Sequence, residues 1–154
     1  MSIEELAAHA DVIVHGTVTA KSCHRDPAGR IYTRVELRVA EIWKGRGIGE
    51  RFTIVHGGGR IGNVRSQASL QVEYEPGEEV VAFLRLNKRG EGVTLSLVQG
   101  KFNVWRDKAT GESFACNLFH GTPAPHREAT KLQGAVPEKL ALNSLKQRSH
   151  GGRK

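Results

Sequence analysis

Two runs of alternating apolar and polar residues, with a five-residue turn sequence between them, constrain this chain more than any other feature. Residues 11–20 start as the apolar run Val12-Ile13-Val14 and pass into alternation. From Ile31 to Trp43 the period of two is clear. Val35, Leu37 and Val39 share one face, and Arg34, Glu36 and Arg38 share the other. Successive side chains on a strand point to opposite faces, so this pattern marks a half-buried strand. Between the runs lies Asp26-Pro27-Ala28-Gly29-Arg30, where Pro presets a turn and Gly permits a positive φ. The chain is therefore expected to build a long antiparallel hairpin first.

The remaining elements are short. Ser2 followed three residues later by Glu5 has the form of a capping box and predicts a helix over 3–10, with Ile3, Leu6 and Ala7 on one face. Residues 50–56 read as a third strand, and the Gly-rich stretch 57–67 as a long mobile loop. Leu70 and Val72 suggest a short strand. The turn at 76–79 opens a strand over 80–86, the hairpin turn at 87–92 leads to its return over 93–98, and 100–105 and 114–118 form a final pair. Pro137 suits the first turn of a closing helix running to Lys146, with Leu140, Leu142 and Leu145 as its apolar residues.

At 154 residues the chain fits one domain. The expected division is a β-barrel domain with its leading helix over 1–118, an extended linker over 119–136, a C-terminal helix over 137–147 and a disordered basic tail over 148–154. Many short strands with helices only at the ends predict a mainly β fold, a small antiparallel OB-like barrel. A β-sandwich is the alternative, although the Cys–Trp–Cys spacing of immunoglobulin domains is missing. Val35, Leu37, Val39, Val81 and Phe83 are the expected core. No run of eighteen apolar residues is present to cross a membrane as a helix.

The net charge of +7 would attract an anionic partner, although Lys139, Lys146, Arg148, Arg153 and Lys154 concentrate much of it at an end expected to be solvated. Seven histidines are scattered without H-x-x-x-H or H-E-x-x-H spacing, so no metal site is expected. Ser22-Cys23-His24 places a thiol next to an imidazole, but strand neighbours face opposite ways, which argues against a nucleophile and its base. Gly57-Gly58-Gly59-Arg60-Ile61-Gly62 lacks the Lys-Ser/Thr pair and following helix of a phosphate loop. No catalytic residue, cofactor or enzymatic activity is expected. Cys23 and Cys116 are either one disulfide tying early and late strands in an exported protein, or two unrelated thiols.

The opening Ala10-Asp11-Val12-Ile13-Val14-His15-Gly16-Thr17-Val18, the strand end Glu41-Ile42-Trp43-Lys44-Gly45 and the run Glu78-Glu79-Val80-Val81-Ala82-Phe83-Leu84 resemble the netrin-like modules of the tissue inhibitors of metalloproteinases. They resemble more closely a group of uncharacterised bacterial proteins of the same layout. The resemblance covers about residues 10–104 and implies an OB-fold barrel, a protein partner and export, because that opening usually follows a signal peptide. Met1-Ser2-Ile3-Glu4-Glu5 has no signal-peptide character. The inhibitors chelate zinc through an N-terminal cysteine, which this start lacks, so their mechanism does not carry over. The expected role is a non-enzymatic interaction module, with single-stranded nucleic acid as the alternative ligand. Tyr32, Arg34, Arg38, Arg60, Asn63 and Arg65 are the candidate partner contacts.

Overall fold

The computed structural model describes residues 2–57, 59–61, 64–66, 74–95, 100–117, 120–121 and 140–150. The first element is the expected helix, α1 (Ile3–His9). Glu5 N–H donates to Ser2 Oγ at 3.0 Å and Ser2 N–H donates to Glu5 Oε1 at 2.8 Å, closing the capping box. The long hairpin follows, β1 (Val12–Arg25) against β2 (Ile31–Lys44), in register from Arg25↔Ile31 at the turn to Ile13↔Lys44. Three register shifts bend this pair, which is how a long ribbon curls into a barrel wall.

β2 continues into β3 (Arg51–Gly57), and β1 pairs along its other edge with β6 (Glu79–Leu86). β6 turns into β7 (Gly92–Thr94), and β7 meets β3 in parallel at the single pair Ile54↔Gly92. The circuit β1-β2-β3-β7-β6-β1 is closed, so the protein is mainly β with a five-stranded OB-like barrel and two short helices. Closure removes the exposed edges that a small open sheet would present. Two further strands, β8 (Lys101–Arg106) and β9 (Ser113–Cys116), extend the sheet from the first half of β6. The two-residue β10 (Leu140–Ala141) completes it by pairing with β9.

Two cores result, separated by the β1–β6 wall. The barrel interior holds Val12, Val14, Val18, Val35, Leu37, Ile54, Tyr74, Val80, Ala82 and Leu84. On the outer side of the same wall, Ile13, Val81 and Phe83 join Ile3, Leu6, Phe102, Ala115 and Leu145 beneath α1 and α2 (Leu142–His150). The expected core residues are therefore divided between the two, and Val39 is only half-buried. Burying both faces explains why β1 and β6 begin as unbroken apolar runs while β2 alternates.

Several expectations are corrected. The stretch expected to be a loop over 57–67 contains a hairpin, β4 (Gly59–Ile61) against β5 (Val64–Ser66). The closing helix starts at Leu142 instead of at Pro137, because Leu140 is taken by the ladder opposite Ala115. It also runs on to His150, so the expected tail begins as helix. Lys146 reaches Glu41 at 2.6 Å, Arg148 grips both oxygens of Glu4, and Ser149 is buried. These charges are ion-paired to the fold instead of forming a solvated end. The linker over 119–136, apart from His120 and Gly121, lies outside the described residues, as do Leu70, Val72 and the end of the strand expected over 93–98. Neither described helix is long and apolar enough to cross a membrane.

Candidate binding face

The helices seal one outer side of the barrel and leave the side formed by the far half of β1, β2, β3 and β7 open. Cross-strand register sets the rows on this face. Ala20, Ser22 and His24 of β1 stand opposite Glu36, Arg34 and Tyr32 of β2, which in turn stand opposite Thr53, Val55 and Gly57 of β3. Arg38 lies opposite Arg51, and both are exposed. Val93, 41% exposed, continues the face onto β7 beside Arg85.

Two turns rise at the edges of this face, and each is braced by its own first residue. In the β1–β2 turn, Asp26 Oδ1 accepts from Arg30 N–H at 2.8 Å while Gly29 takes φ +84°. In the β6–β7 turn, Asn87 Oδ1 accepts from both Arg89 N–H and Glu91 N–H at 2.9 Å. This is the side-chain mimicry of a backbone turn that suits Asp and Asn to such positions. Asn87 Nδ2 also donates to Glu91 Oε1 at 3.1 Å, and Glu91 Oε2 lies 3.6 Å from Arg34. That chain ties the second turn down onto β2 and leaves Lys88 and Arg89 pointing out of it, both exposed.

Two grooves lie on the face. One of about 280 Å³ is lined by Ser22, His24, Arg34, Glu36 and Thr53. The other, about 470 Å³, runs between β3 and the β6–β7 turn, and Tyr32, Val55, His56, Lys88, Arg89 and Val93 line it. Tyr32 and His24 pack ring against ring at 5.6 Å, with the His24 imidazole also within 2.8 Å of Ser22 Oγ. The carboxylates here are already engaged: Glu91 with Arg34 and Asn87, Asp26 with Arg30, and Glu36 with Arg51 at 3.8 Å. Arg38, Arg85, Lys88 and Arg89 have no carboxylate partner among the described residues. The open face is thus basic, with its acids neutralised in place.

On the covered side the carboxylates are paired as well. Arg148 holds the Glu4 carboxyl below the usual glutamate range, and Lys146 together with the Trp43 indole does the same for Glu41. Burial pushes Glu78 up, but hydrogen bonds from Lys101, the Glu75 N–H and Asn103 outweigh it and the net shift is downward. His15 Nε2 meets Glu79 at 2.6 Å. In the barrel interior, burial pushes the Tyr74 hydroxyl up, and it shares a 2.8 Å hydrogen bond with Thr94.

The expected contact residues are partly gathered. Tyr32, Arg34 and Arg38 share the open face as their spacing implied. Arg60 and Arg65 occupy directly opposed backbone positions in the β4–β5 ladder, and Asn63 lies outside the described residues. Cys23 stands opposite Thr33 on the long hairpin, whereas Cys116 stands opposite Asn103 on β9. Sequence reasoning missed Lys88, Arg89, Glu91, Val55 and Val93 as site residues. The Lys-Arg pair inside a recognised hairpin turn was the available signal. The chain matches no protein-family model, and no curated protein matches it.

Proposed function

We propose that this chain is a non-enzymatic, netrin-like binding module that engages another protein through the open face of its barrel. The observation that carries this reading is the unequal use of the two outer sides. One is sealed by α1, α2 and β8–β9, while the other keeps two adjoining grooves between braced turns. Conformationally fixed turns reduce the ordering cost of association, which favours recognition. The netrin-like resemblance supports a protein as the partner.

Affinity capture from an extract of the producing cells tests this. The wild-type chain and a control with Lys108→Glu, on the β8–β9 turn, should retain the same partner. A variant carrying Arg34→Glu, Arg38→Glu and Lys88→Glu should lose it. Equal recovery by all three would move the interaction off this face. Single-stranded nucleic acid is the second reading, favoured by the Tyr32–His24 ring pair among cations on an OB-like barrel. Nuclease-sensitive capture would select it.

A further inference from the structure

Resting on that reading, we infer that Arg38 and Arg51 form a clamp on the open face for the phosphoryl group of a phosphorylated side chain of the partner protein. The two arginines are the last residue pair of the β2–β3 ladder. Their neighbours Leu37 and Phe52 belong to the barrel core, and on a strand the next side chain takes the other face, so both arginines project outward. Directly opposed residues of an antiparallel pair carry their Cβ atoms about 5 Å apart, so two guanidinium forks can converge on one group. Like charges in that arrangement lower the stability of the pairing. Among the described residues Arg38 has no carboxylate partner. Arg51 has Glu36 at 3.8 Å, outside hydrogen-bond distance, and its side chain stays 81% exposed. The fold thus sets two weakly compensated cations against each other, and a bound anion would relieve the repulsion.

The chemistry of the pair selects the anion. A phosphoryl group carries close to two negative charges and three acceptor oxygens, and each guanidinium fork can meet two oxygens at once. Two opposed forks match such a group, whereas a single carboxylate would leave one of them uncompensated. The arrangement also favours one isolated phosphate over a row of them. Outward positions on β2 run Tyr32, Arg34, Glu36 and Arg38, each about 7 Å from the next. A polynucleotide tracking this strand would bring a phosphate against Glu36, between the two cations. A single phosphorylated residue meets the clamp alone. The groove of about 280 Å³ begins one row along, where Ala20, Glu36 and Thr53 stand opposite one another, and it has room for the residues that flank the phosphate.

The test follows the isotope-labelled full chain by NMR during titration with a nonapeptide of Gly, Ala and Val carrying a central phosphoserine. The same peptide with serine and a twenty-residue oligo-dT are run alongside. The phosphopeptide should shift the Arg38 and Arg51 Nε–Hε signals saturably, and the serine peptide should not. Arg38→Gln with Arg51→Gln should weaken binding at least tenfold, and Lys108→Glu should leave it within twofold. Thermal melts establish that all variants are folded. Arg38→Gln alone should melt no lower than the wild type, since it removes a like charge and no ion pair. Equal binding of the two peptides, no saturable phosphopeptide shift, oligo-dT binding that alone depends on the two arginines, or a lower melting temperature for Arg38→Gln would each overturn the inference. If the clamp fails but the captured partner is still lost with the open-face triple variant, the binding face stands and only its phosphoryl chemistry falls. If neither depends on this face, the proposed function falls as well.

Discussion

Gly16 sits where β1 is bonded on both edges, opposite Val39 of β2 and Val80 of β6. A Cβ built there would lie 2.3 Å from the Arg38 carbonyl oxygen and 3.1 Å from Leu37 Cγ. The nearest atom belongs to a backbone held in the ladder, so no side chain can swing aside to relieve the clash. Overpacking that forces backbone shifts costs about 1–3 kcal/mol and occasionally more. Gly16→Ala should reach the top of that range, about 3 kcal/mol, because β1 cannot retreat from β2 without straining its pairing with β6. At about 2–4 °C per kcal/mol for a chain of this size, the melting temperature should fall by about 6–12 °C. Gly29→Ala is the matched control. It has nothing within 4 Å of its new Cβ but adopts φ +84°, so its cost is conformational alone, about 1–2 kcal/mol. Denaturant unfolding followed by the fluorescence of Trp43, which is buried, compares the two. If Gly16→Ala were no more destabilising than Gly29→Ala, the close approach at the β1–β2 bulge would not exist as described.

Leu37, fully buried in the barrel, should lose about 2–5 kcal/mol as Leu37→Ala, and a loss below about 1 kcal/mol in denaturant titration would put β2 in the wrong register. A chain ending at Gln147 gives up the half-exposed Arg148–Glu4 pair, worth about 0.2–1 kcal/mol, and the Ser149 hydroxyl bond to Leu145 O, worth about 0.5–1.5 kcal/mol. Calorimetry should show a drop of a few degrees without unfolding, and an unchanged melting temperature would contradict the docking of α2. Glu4, Glu41 and Glu78 have depressed pKa values in the folded state, so their contribution is present above about pH 4.5 and fades as pH falls through the lowered values. Acid titration followed by circular dichroism should place the loss below pH 4.5, and Lys101→Met should move it to higher pH by removing the cation that holds Glu78 down. A midpoint that stayed put would mean the Glu78–Lys101 pair does not couple to folding.

The sequence was most legible where structure is local. Ser2 and Glu5 announced α1, and the alternation of β2 placed Tyr32, Arg34 and Arg38 on one surface. The Ala10-Asp11…Gly16 opening also acquires a structural account. Ala10 is buried at the end of α1, Asp11 Oδ2 accepts from Leu86 N–H at 2.9 Å, and Gly16 admits the Arg38 carbonyl. Legibility failed where partners are distant. Lys146 and Arg148 looked solvated because Glu41 and Glu4 are 105 and 144 residues away. The groove was hidden for the same reason, since only the Ile54↔Gly92 closure brings Lys88, Arg89 and Val93 beside β3. The β4–β5 hairpin was overlooked although Gly62-Asn63 is a two-residue hairpin signal, because the surrounding glycines suggested a loop. The closing helix was placed too early because Leu140 suits a helix face as well as a ladder.

The grip of Arg148 on Glu4 has a consequence for how the chain can be rearranged. α1 and α2 lie side by side outside the barrel, so within the described residues the chain returns close to its first helix. Linking α2 to α1 and reopening the backbone at the exposed 108–111 turn should therefore give a circular permutant in which the described strands keep their neighbours.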